Sequence, residues 1–187
     1  TADVARDNGA DRVLDCPRGR GPQVAAGAAA ARGGVVLILH ADSRFPAGGL
    51  IAIQHLLDAR PEVVGGNFRL VFDHPDAAWI ERFYATIRAF GLFYGDSGVF
   101  IRRAVLESIG GVRPLALMED YDLVRRMRAA GRIAQVRDPP LVTSARRFAG
   151  RGRLGILAGW VRIHLLYWAG LAPERLARIY DSERERG

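Results

Sequence analysis

The sequence lacks lysine altogether and contains a single cysteine, Cys16. One thiol excludes an internal disulfide and a thiolate-ligated metal cluster. Apart from four histidines, the 27 basic side chains are therefore all arginine, whose planar guanidinium group suits phosphate. From Ser144 onward there are nine arginines and four acids, an excess that attracts polyphosphates or an anionic membrane face. No nucleic-acid-binding motif or row of stacking aromatic residues accompanies the net charge of +7, so nucleic acid is not an expected partner.

The sequence also lacks an uninterrupted apolar run of membrane-spanning length. Its most apolar stretch, LGILAGWVRIHLLYWAGLAP, is broken at the centre by Arg162 and His164, where a charge is costly in a bilayer. The pattern favours a helix packed on the protein core, with a helix lying in a membrane interface as the alternative. In the latter case three aromatic side chains would lie near the lipid headgroups: Trp160, Tyr167 and Trp168.

What the sequence does contain is an alternation of helical and extended patterns along its 187 residues. Helices are predicted over residues 1–9, 22–33, 46–60, 76–91, 103–111 and 118–131, and again from residue 154. Strands are predicted over residues 11–16, 35–39, 62–72, 97–103, 132–138 and 141–145. This alternation predicts an α/β fold with a mostly parallel sheet flanked by helices. We expect a core of residues 1–150 and a C-terminal helical segment of residues 151–187, packed on the core or at a membrane interface.

The apolar run VVLIL, residues 35–39, ends abruptly in His40 and Asp42. A run of Val, Leu and Ile without alternation is typical of a strand that is covered on both faces. Because ligands of open α/β sheets collect outside the carboxyl ends of the strands, His40 and Asp42 are expected at the functional edge. A carboxylate there can bind a hard divalent cation whose remaining ligands are water and a diphosphate. Arg44 would lie near the same anion.

A second cluster, MEDYD, places Glu119, Asp120 and Asp122 at the start of a predicted helix. Acidic first turns are common because the helix dipole favours negative charge there, so the cluster also has an ordinary structural explanation. The apolar face of this helix must pack on the sheet, however, which would bring Glu119 and Asp120 to the same edge as Asp42. Two acids at that edge can supply a general base and a group that positions an acceptor hydroxyl.

Two further kinds of motif complete the set. The turn YGDSG places Asp96 between Gly95 and Gly98, and glycines there permit close approach of a substrate to the backbone. Taken alone, such a turn more often only leads into a strand. Loop arginines occur in two pairs that can clamp a diphosphate: Arg18 with Arg20, and Arg146 with Arg147.

In this order, the motifs resemble the family 2 glycosyltransferases of the GT-A fold. The segments that carry the likeness are PRGRGPQVAAGAAAARG, LILHADSRFP, GGNFRLVF, FGLFYGDSGVFIRR, LMEDYDLVRRMRAAGR and TSARRF. The likeness is to the bacterial branch labelled radical-SAM/selenodomain-associated transferase 2. It implies a Rossmann-like GT-A fold and an inverting transfer of a sugar from a nucleotide-diphosphate sugar to an acceptor hydroxyl. It further implies a cytoplasmic enzyme, peripheral at the inner face of the plasma membrane.

The resemblance also implies roles for individual residues. Asp42 matches the second acid of the family's D-x-D motif and would bind Mg²⁺ or Mn²⁺ on the donor diphosphate. Asp120 matches the expected base, with Glu119 beside it. The donor nucleotide and its diphosphate would be bound by Arg18, Arg20, Gln23, His40, Arg146 and Arg147. The acceptor would lie against Asn67, Gly95 and Asp96.

The sequence departs from the family pattern at several positions. His40 stands where many relatives have the first acid of D-x-D, Ala25 replaces Asn, Ser97 replaces Gln, and Phe148 replaces Trp. The family also opens with a strand, a helix and a second strand that bears an Asp-Gly-Ser/Thr loop, all of which would precede Thr1. On this resemblance the chain lacks its first βαβ unit and is expected to be inactive alone.

Two other classes of function remain open from the sequence. One is a non-catalytic module with a GT-A-like fold that docks on a membrane or a partner protein. The other is a nucleotidyltransferase on a related sheet, which a Gly-rich phosphate loop upstream would indicate.

Overall fold

A mixed five-stranded sheet, curled into a half-barrel, organises the computed structural model of this protein. The structure describes residues 2–148 and 152–185, with side chains except those of Arg147 and residues 183–185. The helices are α1 Ala2–Asp7, α2 Arg20–Ala30, α3 Gly49–Ala59, α4 Ala78–Ala89, α5 Arg103–Ser108, α6 Glu119–Ala130, α7 Arg153–Trp168 and α8 Pro173–Glu185. The strands are β1 Val35–Ile38, β2 Ser43–Arg44, β3 Val63–Phe72, β4 Val99–Arg102 and β5 Arg132–Thr143. The predicted α/β class is confirmed.

The sheet is mixed, so the prediction of a mostly parallel sheet was wrong. Its strand order is β1-β4-β3-β5-β2. Among the described residues β3 and β5 form the parallel pair, whereas β1 with β4, β3 with β4, and β2 with β5 are antiparallel. The pattern of apolar residues could not reveal whether neighbouring strands are parallel, because a central antiparallel strand covered on both faces is as apolar as a parallel one. The strand β4, which is buried at its first three positions, is such a case.

The strand β1 lies at one edge of the sheet rather than inside it. Val36 is buried, but Val35 and Leu39 are 36% and 38% exposed, so the predicted cover on both faces was wrong. Pairing of β1 with β4 runs antiparallel and ends at Ile38 opposite Val99. The carboxyl end of β1 therefore meets the amino end of β4, which brings the residues after β1 beside the turn that precedes β4.

Two glycines in β3 allow its neighbours to approach closely. A Cβ on Gly65 would lie 2.3 Å from the carbonyl oxygen of Phe100 in β4. A Cβ on Gly66 would lie 1.8 Å from the carbonyl oxygen of Ala134 in β5. Both distances are far shorter than van der Waals contact, so any larger side chain would push the strands apart. The Gly-Gly pair is therefore required for packing and does not interrupt the strand.

One continuous strand, β5, replaces the two strands predicted at residues 132–138 and 141–145. Its pairing with β3 is interrupted where residues 137–140 lie opposite Arg69. Nε of Arg69 donates to the carbonyl oxygen of Arg137 at 2.9 Å. Two prolines lie in this irregular stretch. Because a proline has no backbone N–H to donate to a neighbouring strand, the sequence predicted a break between two strands here.

The strand predicted over residues 11–16 is also wrong. This segment is irregular, and within the described part of the chain it pairs with no strand. An extended segment becomes a strand only if a neighbour satisfies its backbone groups, and a local pattern cannot supply that neighbour. Cys16 is half-buried there with a free thiol.

The two C-terminal helices pack against the rest of the molecule. Ile163 of α7 and Leu176 of α8 are buried in a cluster with Met118 and Tyr121. Nε1 of Trp168, at the end of α7, donates to the hydroxyl of Tyr121 in α6 at 2.9 Å. The residues at the start of α6 are therefore held between the sheet and α7. Within the described residues, every helix is too short or too polar to cross a bilayer.

Candidate functional site

One cleft of about 1040 Å³ collects charged side chains from distant parts of the sequence. Its acidic and basic lining residues are Arg20, His40, Asp42, Asp96, Asp120, Arg146, Arg162, His164 and Asp181. They come from the start of α2, the turn after β1, the turn before β4, the start of α6, the loop after β5, and the two C-terminal helices. The fold thus brings Asp42 and Asp120 to one cleft, together with guanidinium groups.

The acid pair at the start of α6 is held by the first residue of α2. Nε of Arg20 donates to Oε1 of Glu119, and Nη2 of Arg20 lies 3.4 Å from Oδ2 of Asp120. The N–H of Gly95 donates to the same Oδ2 at 3.0 Å, and the N–H of Tyr121 donates to Oδ1 at 2.8 Å. The side chain of Glu119 is 2% exposed and that of Asp120 is 13% exposed. Three donors therefore fix the Asp120 carboxylate at the cleft wall, while Glu119 lies behind it.

The ionisation of Arg20, Glu119 and Asp120 is mutually dependent. Burial raises the pKa of Glu119, the Asp120 carboxylate adds to the rise, and Arg20 opposes it. Burial disfavours the charge of Arg20, but the carboxylates of Asp120 and Glu119 outweigh burial and raise its pKa. Oε2 of Glu119 is buried and has no hydrogen-bond partner among the described residues. Arg20 is consequently the counter-charge that permits two adjacent acids to occupy this position.

His40 lies against the turn that carries Gly95. A Cβ on Gly95 would lie 2.7 Å from Nε2 of His40 and 3.4 Å from Oδ2 of Asp120. Glycine at position 95 therefore lets the imidazole and the carboxylate approach the same stretch of backbone. Burial lowers the pKa of His40, and the nearby charge of Arg20 lowers it further. Both effects favour the uncharged imidazole, which can act as a hydrogen-bond donor or acceptor in the cleft.

Asp42 lies in the turn between β1 and β2. Its carbonyl oxygen accepts a hydrogen bond from the N–H of Ser144 at 3.1 Å, which ties the turn to the loop after β5. Among the described residues its carboxylate has no hydrogen bond or ion pair, and no three His, Cys, Asp or Glu side chains come together as a metal site. This donor set suits the way Mg²⁺ is often bound, by one or two carboxylates plus substrate phosphates. Asp42 is the residue that would hold such a cation.

Asp96 lines the cleft but is almost fully buried, at 3% exposure. The hydroxyl of Tyr84 in α4 donates to Oδ2 of Asp96 at 2.5 Å. Beside it, burial raises the pKa of Tyr94, and the Asp120 carboxylate adds to the rise. The hydroxyl of Tyr94 lies 2.8 Å from Nε2 of His164 in α7. These contacts join the turn before β4 to α4 and α7, so the turn that holds Asp120 in place is itself fixed.

Of the predicted arginine pair after β5, Arg146 lines the cleft and is exposed. The loop that carries it is fixed by Asp73, whose Oδ1 accepts a hydrogen bond from the N–H of Ala145 at 2.8 Å. That bond also lowers the pKa of Asp73. The side chain of Arg147 lies outside the part of the chain that the structure describes.

Among the described side chains, five predicted residues do not line the cleft: Arg18, Gln23, Asn67, Gly95 and Glu119. Gly95 and Glu119 lie behind its wall, where the N–H of Gly95 donates to Asp120 and Glu119 bonds Arg20. Arg18 and Gln23 are exposed on the surface near the start of α2. Asn67 is 2% exposed within β3, and its Nδ2 donates to the carbonyl oxygen of Phe68 at 3.0 Å. Asn67 lies in the middle of a central strand, whereas strand ends and the turns after them reach the cleft. Its contact with an acceptor stays a prediction.

The C-terminal helices contribute to the cleft, which was not predicted from the sequence. Arg162 and His164 of α7 line it, with Trp160 beside them. Trp160, which the alternative of a membrane-interface helix placed near the lipid headgroups, packs its ring inward, with centroids 5.3 Å from Phe83 and 6.0 Å from Phe148. The polar interruption of an otherwise apolar helix was the signal that could have identified Arg162 and His164.

Comparison of the chain with protein-family models finds no match, and comparison with curated proteins finds none either. The chemistry of the cleft therefore carries the functional conclusion.

Proposed function

We propose that the cleft binds a nucleotide-diphosphate sugar and transfers its sugar, with inversion, to an acceptor hydroxyl. The observation that carries the proposal is the meeting of Asp42, Asp120 and Arg146 in one cleft. An acceptor hydroxyl needs a base and a departing diphosphate needs positive charge, and both kinds of group line this cleft. A Rossmann-like GT-A fold and a cytoplasmic setting at the inner face of the plasma membrane belong to the same proposal.

In this mechanism Asp120 is the general base. Its carboxylate takes the proton of the acceptor hydroxyl as the hydroxyl oxygen attacks the anomeric carbon from the face opposite the diphosphate. The bond between the anomeric carbon and the phosphate oxygen breaks, and its electron pair leaves with the nucleoside diphosphate. Attack from the opposite face inverts the configuration at the anomeric carbon. The N–H of Gly95 and Nη2 of Arg20 keep the Asp120 carboxylate in position during the transfer.

Other groups of the same cleft stabilise the leaving group. The guanidinium group of Arg146 compensates the negative charge that develops on the diphosphate. A divalent cation, Mg²⁺ or Mn²⁺, supplies further positive charge there when it is bound, and Asp42 would hold it. The neutral His40 contributes a hydrogen bond to the donor rather than a charge.

Calorimetric titration of the full-length protein with uridine- and guanosine-diphosphate sugars, in the presence and absence of Mn²⁺, tests donor binding. We expect cation-dependent binding that Asp42→Ala weakens at least about tenfold, a loss of roughly 1.4 kcal/mol. The matched control is Asp76→Ala, which removes a carboxylate with a side-chain exposure of 89% outside the cleft.

Sugar transfer by the same protein tests the base. We expect Asp120→Asn to keep donor binding and lower the turnover rate by about 10²–10⁴-fold. Turnover that survives both Asp42→Ala and Asp120→Asn would remove the basis of the proposal.

A further inference from the structure

The outer face of α7 exposes large apolar side chains. Its four members, which we call the α7 stripe, are Leu154, Val161, Leu165 and Trp168, with exposures of 83%, 57%, 56% and 59%. At about 100° per residue, they fall within about 60° of one another around the helix axis. They therefore form one continuous face. A contiguous exposed apolar face marks an interaction surface rather than scattered surface residues.

The α7 stripe has a positive charge on each side. By the same helical geometry, Arg153 and Arg162 lie about 80–100° from Leu154 in opposite directions. The helix itself contains no Asp or Glu. An apolar face between two cationic edges complements a surface with a hydrocarbon interior and an anionic boundary, which is an anionic bilayer. A second copy docked through the same face would bring like charges together, so the charge pattern disfavours self-association.

The cleft opens along one side of the α7 stripe. Arg162 borders the stripe and also lines the cleft. The remaining α7 wall of the cleft is mainly small or apolar, being formed by Gly155, Ile156, Ala158, Gly159 and Ile163 among others. A Cβ on Gly155 would meet nothing within 4 Å, so this part of the wall is open. An apolar surface thus runs from the edge of the stripe into the cleft.

We propose that the α7 stripe docks on an anionic lipid surface and that the acceptor hydroxyl belongs to a molecule anchored in that surface. The anchored acceptor rests on the proposed sugar transfer, whereas the docking of the α7 stripe rests on the helix alone. Trp168 joins the two regions, because its Nε1 donates to the hydroxyl of Tyr121, the residue after Asp120. Docking would therefore place the cleft, with the base Asp120, next to the lipid surface.

Flotation with lipid vesicles tests the docking. The full-length protein should float with vesicles of equal parts phosphatidylcholine and phosphatidylglycerol, and much less with phosphatidylcholine alone. We expect Leu154→Ser with Leu165→Ser to weaken this binding at least about tenfold, because two side chains can no longer insert among acyl chains. The matched control is Leu50→Ser with Ile51→Ser in α3, which removes side chains of similar exposure, 66% and 59%, from another surface.

Tryptophan emission gives an independent measure of docking. Transfer of Trp168 from water to lipid should shift the emission of the protein to shorter wavelength on addition of anionic vesicles, and Trp168→Phe should remove that shift. Equal losses of flotation in the α7 and α3 pairs, or no flotation with anionic vesicles, overturn the proposal. The proposal is also overturned if the α7 pair converts a dimer into a monomer without affecting vesicle binding, since the stripe would then be a self-association surface.

Transfer of a labelled sugar from a bound nucleotide-sugar tests whether the acceptor is anchored in the lipid surface. The probes are oleyl alcohol in anionic vesicles and butanol in solution, and we expect label to enter the lipid phase. Preferential transfer to butanol overturns the anchored acceptor. Donor binding without vesicle docking would refute this inference and the proposed membrane setting, but leave the proposed sugar transfer standing. Docking without donor binding would refute the sugar transfer and the anchored acceptor, but leave the docking of the α7 stripe standing.

Discussion

Replacement of Arg20 by glutamine tests the electrostatic arrangement of the site most directly. The change keeps a polar side chain of moderate length but removes the charge that bonds Glu119 and faces Asp120. Glu119 is 2% exposed, so its carboxylate would lose its principal donor in a position that water hardly reaches.

The expected loss of stability follows from the solvent exposure of Arg20 and Glu119. Removal of one partner from a buried ion pair costs about 3–5 kcal/mol, because the remaining charge is left uncompensated. The side chain of Arg20 is 42% exposed, so solvent screens part of the interaction and we expect about 2–3 kcal/mol. With a urea dependence of about 2 kcal/mol per M, the unfolding midpoint should fall by roughly 1 M.

The loss of folding stability in Arg20→Gln should depend on pH. Because burial and Asp120 hold the pKa of Glu119 above its ordinary value, the folded protein binds this proton more tightly than the unfolded chain. The stability that this group contributes is full below its ordinary pKa and is lost as the pH rises through the folded pKa. Arg20 opposes the rise, so its removal raises the pKa of Glu119 further. The destabilisation should therefore be larger at about pH 8 than at about pH 5.

Urea unfolding followed by tryptophan fluorescence at both pH values measures this effect. Adding Glu119→Gln to Arg20→Gln should recover much of the lost stability, because no buried charge then remains at position 119. The surface control is Arg6→Gln, which breaks an ion pair between side chains that are 55% and 89% exposed and should cost less than about 0.5 kcal/mol. A loss of stability in Arg20→Gln no larger than that in Arg6→Gln, or one that is the same at both pH values, would refute this expectation.

Two smaller changes test the turn before β4. Gly95→Ala places a Cβ 2.7 Å from Nε2 of His40, so we expect weaker donor binding by calorimetry and a loss of about 1–3 kcal/mol in urea unfolding. Gly27→Ala in α2 adds a Cβ that meets nothing within 4 Å and should stabilise the protein by up to about 1 kcal/mol; equal responses of the two variants would contradict the argument. Tyr84→Phe removes the hydroxyl that donates to the buried Asp96 and should cost about 1.5–3 kcal/mol. An unchanged urea midpoint would show that this bond contributes nothing to stability.

The helices were more predictable than the sheet. The helix predicted over residues 118–131 is observed as Glu119–Ala130, and that predicted over 76–91 contains Ala78–Ala89. Helical hydrogen bonds join residues four apart, so the local pattern contains most of the information. Strands are satisfied by neighbours that are distant in sequence. The segment 11–16 therefore looks extended but finds no partner among the described residues, and two predicted segments become the single strand β5.

In the candidate site, too, local features were predictable from the sequence and long-range contacts were not. Its residues at the ends of elements, such as His40, Asp42 and Asp120, were predictable, because side chains there are presented at an edge of the fold. The partner of a charge was not predictable. Arg20 was expected at a diphosphate, yet its guanidinium group bonds Glu119 and faces Asp120.

The sequence alone determined the α/β class, the principal helices and the positions at which acids and arginines leave regular structure. These properties depend on periodicity and on residue type over a few turns of chain. Only the tertiary structure decided the direction of the strands, the pairing of Arg20 with the two acids, and the face of α7 that remains exposed. Each of these depends on contacts between segments tens of residues apart, and a local pattern is compatible with more than one such arrangement.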